Sequence, residues 1–333
     1  MQRSAARFLA TVFLLACATV AVRSQGSGVI EGQVLNGTSG NVPVEGLSVV
    51  LWALDAQQQN IVQQGKTDVE GRFRFQGLDA QARSYQVQIE YQGVSYQSDT
   101  LTLAQDQSLL SVPVTIYDST ASDADLGVER AHLILDFQPG TILVQELQIL
   151  SNAGNKTYVG PGSAGEATAR FVLPPGAAGL QLPEELLACC VVQTSEGFAY
   201  TRPILPGTME FFFSYELPHQ SSSFTLTKGP VYPIRYLDVL VADKGVKVTG
   251  PGLTAQEPVS LQDSKYQHLS AENLSATDTL ALHFANLPQK TQPSGPRGTA
   301  SPMLVRAVIA LGTLAVIAAL GYPLFKKRQD EES

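Results

Sequence analysis

The four histidines are the first residues to test for chemistry, because histidine serves both as a general base and as a metal ligand. They are His132, His219, His268 and His283, and none has a second ligand at helical or hairpin spacing. The chain contains no HExxH or HxxE pattern, no GxSxG elbow and no Walker or dinucleotide loop. Triads and carboxylate pairs can form from distant residues, but no motif predicts one. We therefore expect no enzyme activity, no metal and no cofactor.

Two smaller groups are candidates for a metal or redox site. Asp118, Asp123 and Asp125 offer oxygen ligands for calcium, but they lack the glycine and terminal glutamate of an EF-hand. We interpret them as part of a solvated linker. Cys189 and Cys190 are adjacent, and neighbouring cysteines rarely pair because the eight-membered ring is strained. We expect two small hydrophobic side chains on a strand, without a disulfide framework.

Trp52, the single tryptophan, is the main candidate for contact with a ligand. It lies in the segment 49–54, where both faces of a predicted strand are apolar, so that something must cover the second face. One explanation is that Trp52 packs beneath a loop or against the next domain. The other is an aromatic platform for a sugar ring or a protein partner, because exposed large aromatic residues mark binding sites.

Composition limits the classes of function. The 333 residues include 22 Lys and Arg and 30 Asp and Glu, which gives a formal net charge of −8. No basic field is available to hold nucleic acid, so nucleic-acid binding is excluded. The length suits two ordinary domains between the apolar segments at the two ends.

Residues 27–118 alternate apolar and polar side chains in short runs, which predicts antiparallel strands of a β-sandwich. The predicted strands include Val29–Leu35, Leu47–Leu54, Arg72–Phe75 and Tyr85–Tyr91. Turn residues such as Asn36-Gly37 and the segment 67–71 separate them.

Four sequence pieces follow one another in this region: Ile30-x-Gly32-x-Val34-x-Asn36, Pro43-Val44-x-Gly46-x-x-Val49-x-Leu51, Thr67-Asp68-x-x-Gly71-Arg72-Phe73-x-Phe75-x-x-Leu78 and Tyr85-x-Val87-x-Ile89. In this order they resemble the carboxypeptidase regulatory-like domain, a transthyretin-like module of the carbohydrate-binding-like class. The resemblance implies a seven-stranded sandwich. It implies no peptidase activity, because the module is a non-catalytic appendage in that family.

Residues 127–288 predict a second, immunoglobulin-like β-sandwich of about nine strands. The predicted strands are Ala131–Phe137, Thr141–Leu150, Ala167–Leu173, Ala188–Gln193, Met209–Leu217, Ser223–Thr227, Ile234–Val241, Gly245–Thr249 and Thr279–Phe284. The piece Phe171-x-Leu173-Pro174-x-Gly176 is similar to a domain of bacterial envelope proteins, and this similarity implies no activity.

The first 24 residues have the layout of a secretory signal peptide, with Arg3 and Arg7 before an apolar run and small residues near the expected cleavage site. The apolar run is shorter than the roughly 20 residues that a spanning helix needs. An alternative is a lipobox at Leu14-Leu15-Ala16-Cys17, with lipidation of Cys17. The apolar residues that continue beyond Cys17 favour cleavage without lipidation.

Residues 303–325 predict a single membrane-spanning helix after a Pro/Gly/Ser-rich linker at 289–302. Lys326, Lys327 and Arg328 follow directly, and basic residues mark the cytoplasmic side of a span. The expected orientation therefore leaves only the tail 326–333 in the cytoplasm and places the remaining mature chain outside it, in the periplasm or extracellularly.

The sequence predicts an all-β protein of two tandem β-sandwiches with one C-terminal transmembrane helix, type I and single-pass, in a bacterial cell envelope. We expect a membrane-anchored module that binds a protein or polysaccharide partner outside the cytoplasm. The alternative is a scaffold or assembly subunit of a membrane complex, since small residues such as Ala307, Gly312 and Ala319 allow close helix packing. An enzyme is the third hypothesis and would require a pocket with converging polar groups.

Overall fold

A computed structural model describes residues 28–54, 59–78, 84–103, 109–162, 166–261 and 264–290 of the chain. The predicted signal peptide with Cys17, the predicted span at 303–325, the tail and most of the linker lie outside these residues. Among the described segments, no helix is both long enough and apolar enough to cross a membrane.

The described residues form strands and one short helix, which confirms the predicted all-β fold class. Contacts divide the chain into two units. Of the described residues, the first unit contains 28–35, Pro43–Glu90 and Ser95–Thr115. The second contains Asn36–Val42, Tyr91–Val94 and the described residues from Ile116 to Lys290.

The strands of the first unit form two sheets. In chain order they are β1 (Gly28–Asn36), β2 (Val42–Pro43), β3 (Ser48–Leu54), β4 (Gln59–Lys66), β5 (Arg72–Leu78), β6 (Ser84–Tyr91), β7 (Val94–Gln97), β8 (Leu101–Thr102) and β9 (Leu109–Ile116). One sheet has the order β2-β1-β5, with β9 also pairing with β1. The other has the order β4-β3-β6-β7, with β8 also pairing with β6.

Buried apolar residues alternate with more exposed residues along the strands, as the sequence predicts, and the buried ones form the core of the first unit. On β3, Val49, Leu51 and Ala53 are buried, while the residues between them are partly exposed. β6 continues this pattern, and Leu51 pairs with Val87 across the two strands. All four strands predicted here are confirmed. Strand β4 was not predicted, because its residues are largely polar and exposed at the sheet edge.

The strands of the second unit form four sheets. In chain order its elements are β10 (Ser119–Thr120), β11 (Leu126–Gln138), β12 (Thr141–Asn152), β13 (Thr157–Tyr158), β14 (Ala169–Val172), β15 (Ala178–Gln181), α1 (Glu184–Cys189), β16 (Val191–Thr194), β17 (Gly197–Tyr200), β18 (Gly207–Pro218), β19 (Ser223–Lys228), β20 (Ile234–Ala242), β21 (Lys247–Thr249), β22 (Thr254–Leu261), β23 (Ser264–Leu274) and β24 (Leu280–Ala285).

A seven-stranded sheet with the order β15-β18-β12-β11-β20-β23-β22 is the largest part of the second unit. The strands β14-β17-β16 and β19-β24-β21 form two three-stranded sheets, and β10 pairs with β13. One apolar core joins residues of the large sheet, such as Leu135 and Phe213, to Phe198 and Phe284 of the smaller sheets. In the large sheet β11 and β20 run parallel, whereas its other pairs are antiparallel.

Two predictions for residues 188–193 are wrong. The segment is not one strand, because α1 ends at Cys189 and β16 begins at Val191. Cys189 and Cys190 are also not free hydrophobic side chains, since their Sγ atoms form a disulfide. The turn between α1 and β16 places both sulfurs on the same side of the chain, which a regular strand would prevent because adjacent strand side chains point to opposite faces.

Candidate functional site

Trp52 lies on the outward face of the sheet formed by β4, β3, β6 and β7 in the first unit. It alternates with the buried residues Leu51 and Ala53, and its own side chain is partly exposed. Its strand neighbours in register are Ile61 on β4 and Gln86 on β6. This position agrees with the predicted strand that is apolar on both faces, and the two explanations for Trp52 stay predictions.

Hydrogen bonds fix the side chains around the indole ring. Trp52 Nε1 donates to Gln88 Oε1 at 2.7 Å, so the orientation of the Gln88 amide is set by the tryptophan. Gln88 Nε2 in turn donates to Ser95 Oγ at 2.9 Å and to Glu90 Oε1 at 2.8 Å. Gln86 Nε2 donates to the carbonyl oxygen of Ser98 at 3.0 Å. These hydrogen bonds hold the indole ring and the amides of Gln86 and Gln88 in one arrangement without a ligand.

Apolar surface accompanies the tryptophan on the same face. Ile61 is 49% exposed and stands directly across from Trp52. Val50 and Leu54 are partly exposed on either side of Trp52 along β3. These four residues form an open apolar strip.

We use the name Trp52 face for this strip together with the polar residues that surround it on the same side of the sheet. Its members are Val50, Trp52, Leu54, Ile61, Gln64, Ser84, Gln86, Gln88, Glu90, Ser95 and Gln97. Glu90 is the single charged member. Amide and hydroxyl groups both donate and accept hydrogen bonds, so the Trp52 face suits a neutral ligand with many hydroxyl groups.

In the second unit, Asp238 brings together two histidines that lie far apart in the sequence. Its Oδ1 is 2.8 Å from His268 Nε2, and its Oδ2 accepts a hydrogen bond from Arg130 Nη1 at 2.9 Å. His132 Nδ1 is 3.4 Å from Asp238 Oδ2 and has no hydrogen-bond partner in the part of the chain that the structure describes, although the residue is only 4% exposed. Burial lowers the pKa of His132 to about 4, with Asp238 opposing the change and Arg130 and His268 adding to it.

A second polar cluster is sealed between the sheets of the second unit. Glu146 Oε1 accepts from Tyr215 OH at 2.7 Å, and Lys228 Nζ is 2.5 Å from Oε1 and 2.6 Å from Oε2. Gln148 Nε2 donates to Oε2 at 2.8 Å. Burial raises the pKa of Tyr215, and the Glu146 charge and hydrogen bond raise it further. The adjoining cavity, of about 50 Å³, is far below the roughly 300 Å³ of a small-molecule site.

These clusters do not form a metal centre. Among the described residues, no group of three or more His, Cys, Asp and Glu is arranged to hold an ion. The other two histidines form hydrogen bonds outside these clusters. His219 is bonded to the Ser221 carbonyl and His283 to Thr225 Oγ1.

Residues 121–125, with Asp123 and Asp125, are exposed, as expected for a solvated linker, whereas Asp118 before them is partly buried. Its Oδ1 accepts hydrogen bonds from Asn36 Nδ2 and Tyr91 OH, each at 2.9 Å. The hydrogen bond from Asn36, followed by that from Tyr91, lowers the pKa of Asp118. Among the described residues, Asp118, Asp123 and Asp125 do not form a group that could hold a metal ion.

No family model matches the chain, and no curated protein matches it. The resemblance to the carboxypeptidase regulatory-like domain therefore stays a prediction.

Several solved structures share partial similarity with the chain. The 9R-lipoxygenase from Cyanothece is 15% identical with a TM-score of 0.20, and the match covers 27% of this chain and 16% of the lipoxygenase. The major pilin SpaA of Corynebacterium diphtheriae is 14% identical with a TM-score of 0.23, covering 83% of this chain and 64% of the pilin. The shaft pilin SpaA of Lactobacillus rhamnosus GG is 11% identical with a TM-score of 0.22, covering 80% and 99%. Similarity at this level defines neither a family nor a function.

Proposed function

We propose that the chain is a non-catalytic binding module of the bacterial cell envelope, whose Trp52 face binds a neutral polysaccharide. The observation that carries the proposal is the hydrogen-bonded arrangement of Trp52 and Gln88 on an outward sheet face. An aromatic ring offers a flat apolar surface to the C–H face of a sugar. The surrounding glutamines offer donors and acceptors to its hydroxyl groups.

The proposed location of the protein in the cell envelope rests on the sequence. The segment 1–24 has the composition of an export signal, and 303–325 that of a membrane anchor followed by basic residues. An exported and anchored sandwich would present the Trp52 face to the glycans of the envelope or of a neighbouring cell.

The test is a glycan array probed with the full chain in detergent, followed by affinity measurements on each positive glycan for the wild type and the Trp52→Ala variant. We expect binding of neutral polysaccharides, and a loss of about 10-fold or more in affinity on substitution, because a central aromatic anchor contributes more than 1 kcal/mol. Val69→Ala is the matched control, since Val69 is an apolar residue that is 73% exposed and lies outside the Trp52 face. Its affinity should equal that of the wild type.

Three results would count against this function. An array with no neutral glycan bound rejects the polysaccharide as ligand. If envelope proteins co-purify with the chain and Trp52→Ala releases them, the same face binds a protein instead. Partners that stay bound to the variant would favour the assembly-subunit alternative.

A further inference from the structure

Apolar and polar side chains lie in two neighbouring rows on the Trp52 face. The β3 row consists of Val50, Trp52 and Leu54, and all three are partly exposed. The β6 row consists of the polar residues directly opposite, and the pairs in register are Val50 with Gln88, Trp52 with Gln86 and Leu54 with Ser84. Neighbouring strands are about 4.8 Å apart, so a ligand as wide as a sugar chain can contact both rows.

The β3 row is longer than a single sugar ring. Val50 and Leu54 are separated by about 13 Å, because a strand rises by about 3.3 Å per residue. Trp52 lies halfway between them. A ligand that uses the whole row must therefore be an extended chain that runs along β3, with an apolar face beside a polar edge.

The N–H groups of Trp52 and Gln88 are engaged within the first unit. Trp52 Nε1 donates to Gln88 Oε1 at 2.7 Å. Gln88 Nε2 donates to Glu90 Oε1 at 2.8 Å and to Ser95 Oγ at 2.9 Å. Because an indole nitrogen carries one hydrogen and an amide nitrogen two, neither residue has an N–H group left for a ligand.

The oxygen atoms beside the indole ring can still accept hydrogen bonds. Gln88 Oε1 receives one hydrogen bond from Trp52, and an amide oxygen can accept two. Gln86 is held by its nitrogen, since Nε2 donates to the Ser98 carbonyl at 3.0 Å, and its oxygen is an acceptor. Glu90 is exposed, and an ionised carboxylate only accepts. Among these side chains acceptors therefore outnumber donors, and the ligand must supply the hydrogen atoms.

Unsubstituted sugar hydroxyl groups match this arrangement. A hydroxyl group donates one hydrogen bond and also accepts. An O-methyl group can only accept, and two acceptors that face each other form no hydrogen bond although both lose contact with water. The β6 row should therefore distinguish free hydroxyl groups from substituted ones.

We propose that the Trp52 face selects an extended stretch of a linear neutral polysaccharide whose hydroxyl groups are unsubstituted. The sugar chain runs along β3, with its C–H faces on Val50, Trp52 and Leu54. Its hydroxyl groups donate to the amide oxygens of Gln86 and Gln88. This selectivity rests on the proposed polysaccharide binding, and it adds the direction of the chain and the hydroxyl chemistry to that function.

The test measures the affinity of the full chain in detergent for cello-, manno- and malto-oligosaccharides of two to six units, by isothermal titration calorimetry. Each hexasaccharide is also prepared in a fully O-methylated form. At least one series should bind with an affinity that rises with length. O-methylation of that hexasaccharide should lower the affinity by about 10-fold or more, because the donated hydrogen bonds are lost.

Two variants connect these effects to the two rows. Leu54→Ala should lower the affinity for the hexasaccharide by about 3-fold or more and leave that for the disaccharide unchanged, because only a long chain covers the whole β3 row. Gln86→Ala should weaken binding of the free hexasaccharide but not of the O-methylated one, which separates lost hydrogen bonds from the bulk of the methyl groups. Gln76→Ala is the matched control, since Gln76 is exposed on β5 in the other sheet, and its affinities should equal those of the wild type.

Equal affinity for the free and O-methylated hexasaccharides would overturn the proposal, and so would an affinity that does not rise beyond the disaccharide. In both cases, binding that Trp52→Ala abolishes would leave the proposed function intact. Failure of all three series to bind also overturns the selectivity, whereas the function itself is rejected only when no neutral glycan on the array is bound.

Discussion

Among the buried residues that the structure describes in the first unit, Thr67, Tyr85 and Tyr96 carry the polar groups, and none carries a charge. The second unit buries Glu146 and His132, and Lys228 and Asp238 are largely buried beside them. The first unit instead displays its polar residues, among them Gln86 and Gln88, around Trp52.

The charged residues of the second unit affect its stability, whereas the polar residues around Trp52 in the first unit are available for binding. A buried charge must be paired, and removal of one partner leaves the other unsolvated. The second unit therefore depends on a few ion pairs, so that its free energy of unfolding should respond to pH and to single substitutions. The first unit should be indifferent to pH and should tolerate changes on its outward face.

The largest effect on the free energy of unfolding is expected from substitution of the buried carboxylate Glu146. Glu146→Ala leaves Lys228 without its anion and Tyr215 without its acceptor, and should lower the free energy of unfolding of the second unit by about 3–5 kcal/mol. Urea unfolding followed by hydrogen exchange measures each unit separately, and Trp52 fluorescence reports on the first. Glu210→Ala is the control, because Glu210 is exposed on β18. Equal losses in the two variants would disprove a special role for Glu146.

A pH effect of intermediate size should come from His132. Its pKa is about 4 in the folded chain, against 6.5 for an ordinary histidine. Above pH 6.5 the histidine is neutral in both states and carries no penalty. As the pH falls below 6.5 the unfolded chain takes up the proton first, so the second unit loses stability until about pH 4. The difference between the two pKa values corresponds to about 3 kcal/mol at most.

The measurement is urea unfolding at pH 7.5, 5.5 and 4.5. His132→Leu should remove this part of the pH dependence, whereas His283→Gln, at an exposed position on β24, should keep it. The same slope in His132→Leu and the wild type would show that another group is responsible.

The smallest effect is expected on the Trp52 face. Gln88→Ala removes the acceptor of the indole N–H and should lower the free energy of unfolding of the first unit by about 1 kcal/mol or less, because the indole can bond to water instead. The emission of Trp52 should shift to longer wavelength. Gln97→Ala, at an exposed position on β7, should leave the spectrum unchanged. A loss above 3 kcal/mol in Gln88→Ala would mean that the hydrogen bond belongs to the core.

Strands with a regular alternation were predictable from the sequence, and β3 and β6 are examples. The strands β22 and β23 were not, because β22 is exposed along most of its length and contains Pro258, so no apolar periodicity marks it. Trp52 was predictable as a single candidate. Its partner Gln88 was not, since only the register of β3 and β6 brings the two together.

The contacts of Asp238 show why other side-chain contacts in the second unit could not be predicted from the sequence. His132 pairs in register with Asp238 across β11 and β20, and His268 comes from the next strand. No local spacing relates residues from three strands. The available signal was His132, a polar side chain within the otherwise apolar run 131–135, which indicates a partner on a neighbouring strand.

The parallel pairing of β11 with β20 also affects how the protein can be made. β11 is translated well before β20, and β12 through β19 emerge between them. A nascent chain therefore carries β11 with one edge unpaired until the residues of β20 leave the ribosome. Such an edge is open to pairing with other chains. The second unit should thus need protection during synthesis for longer than the first.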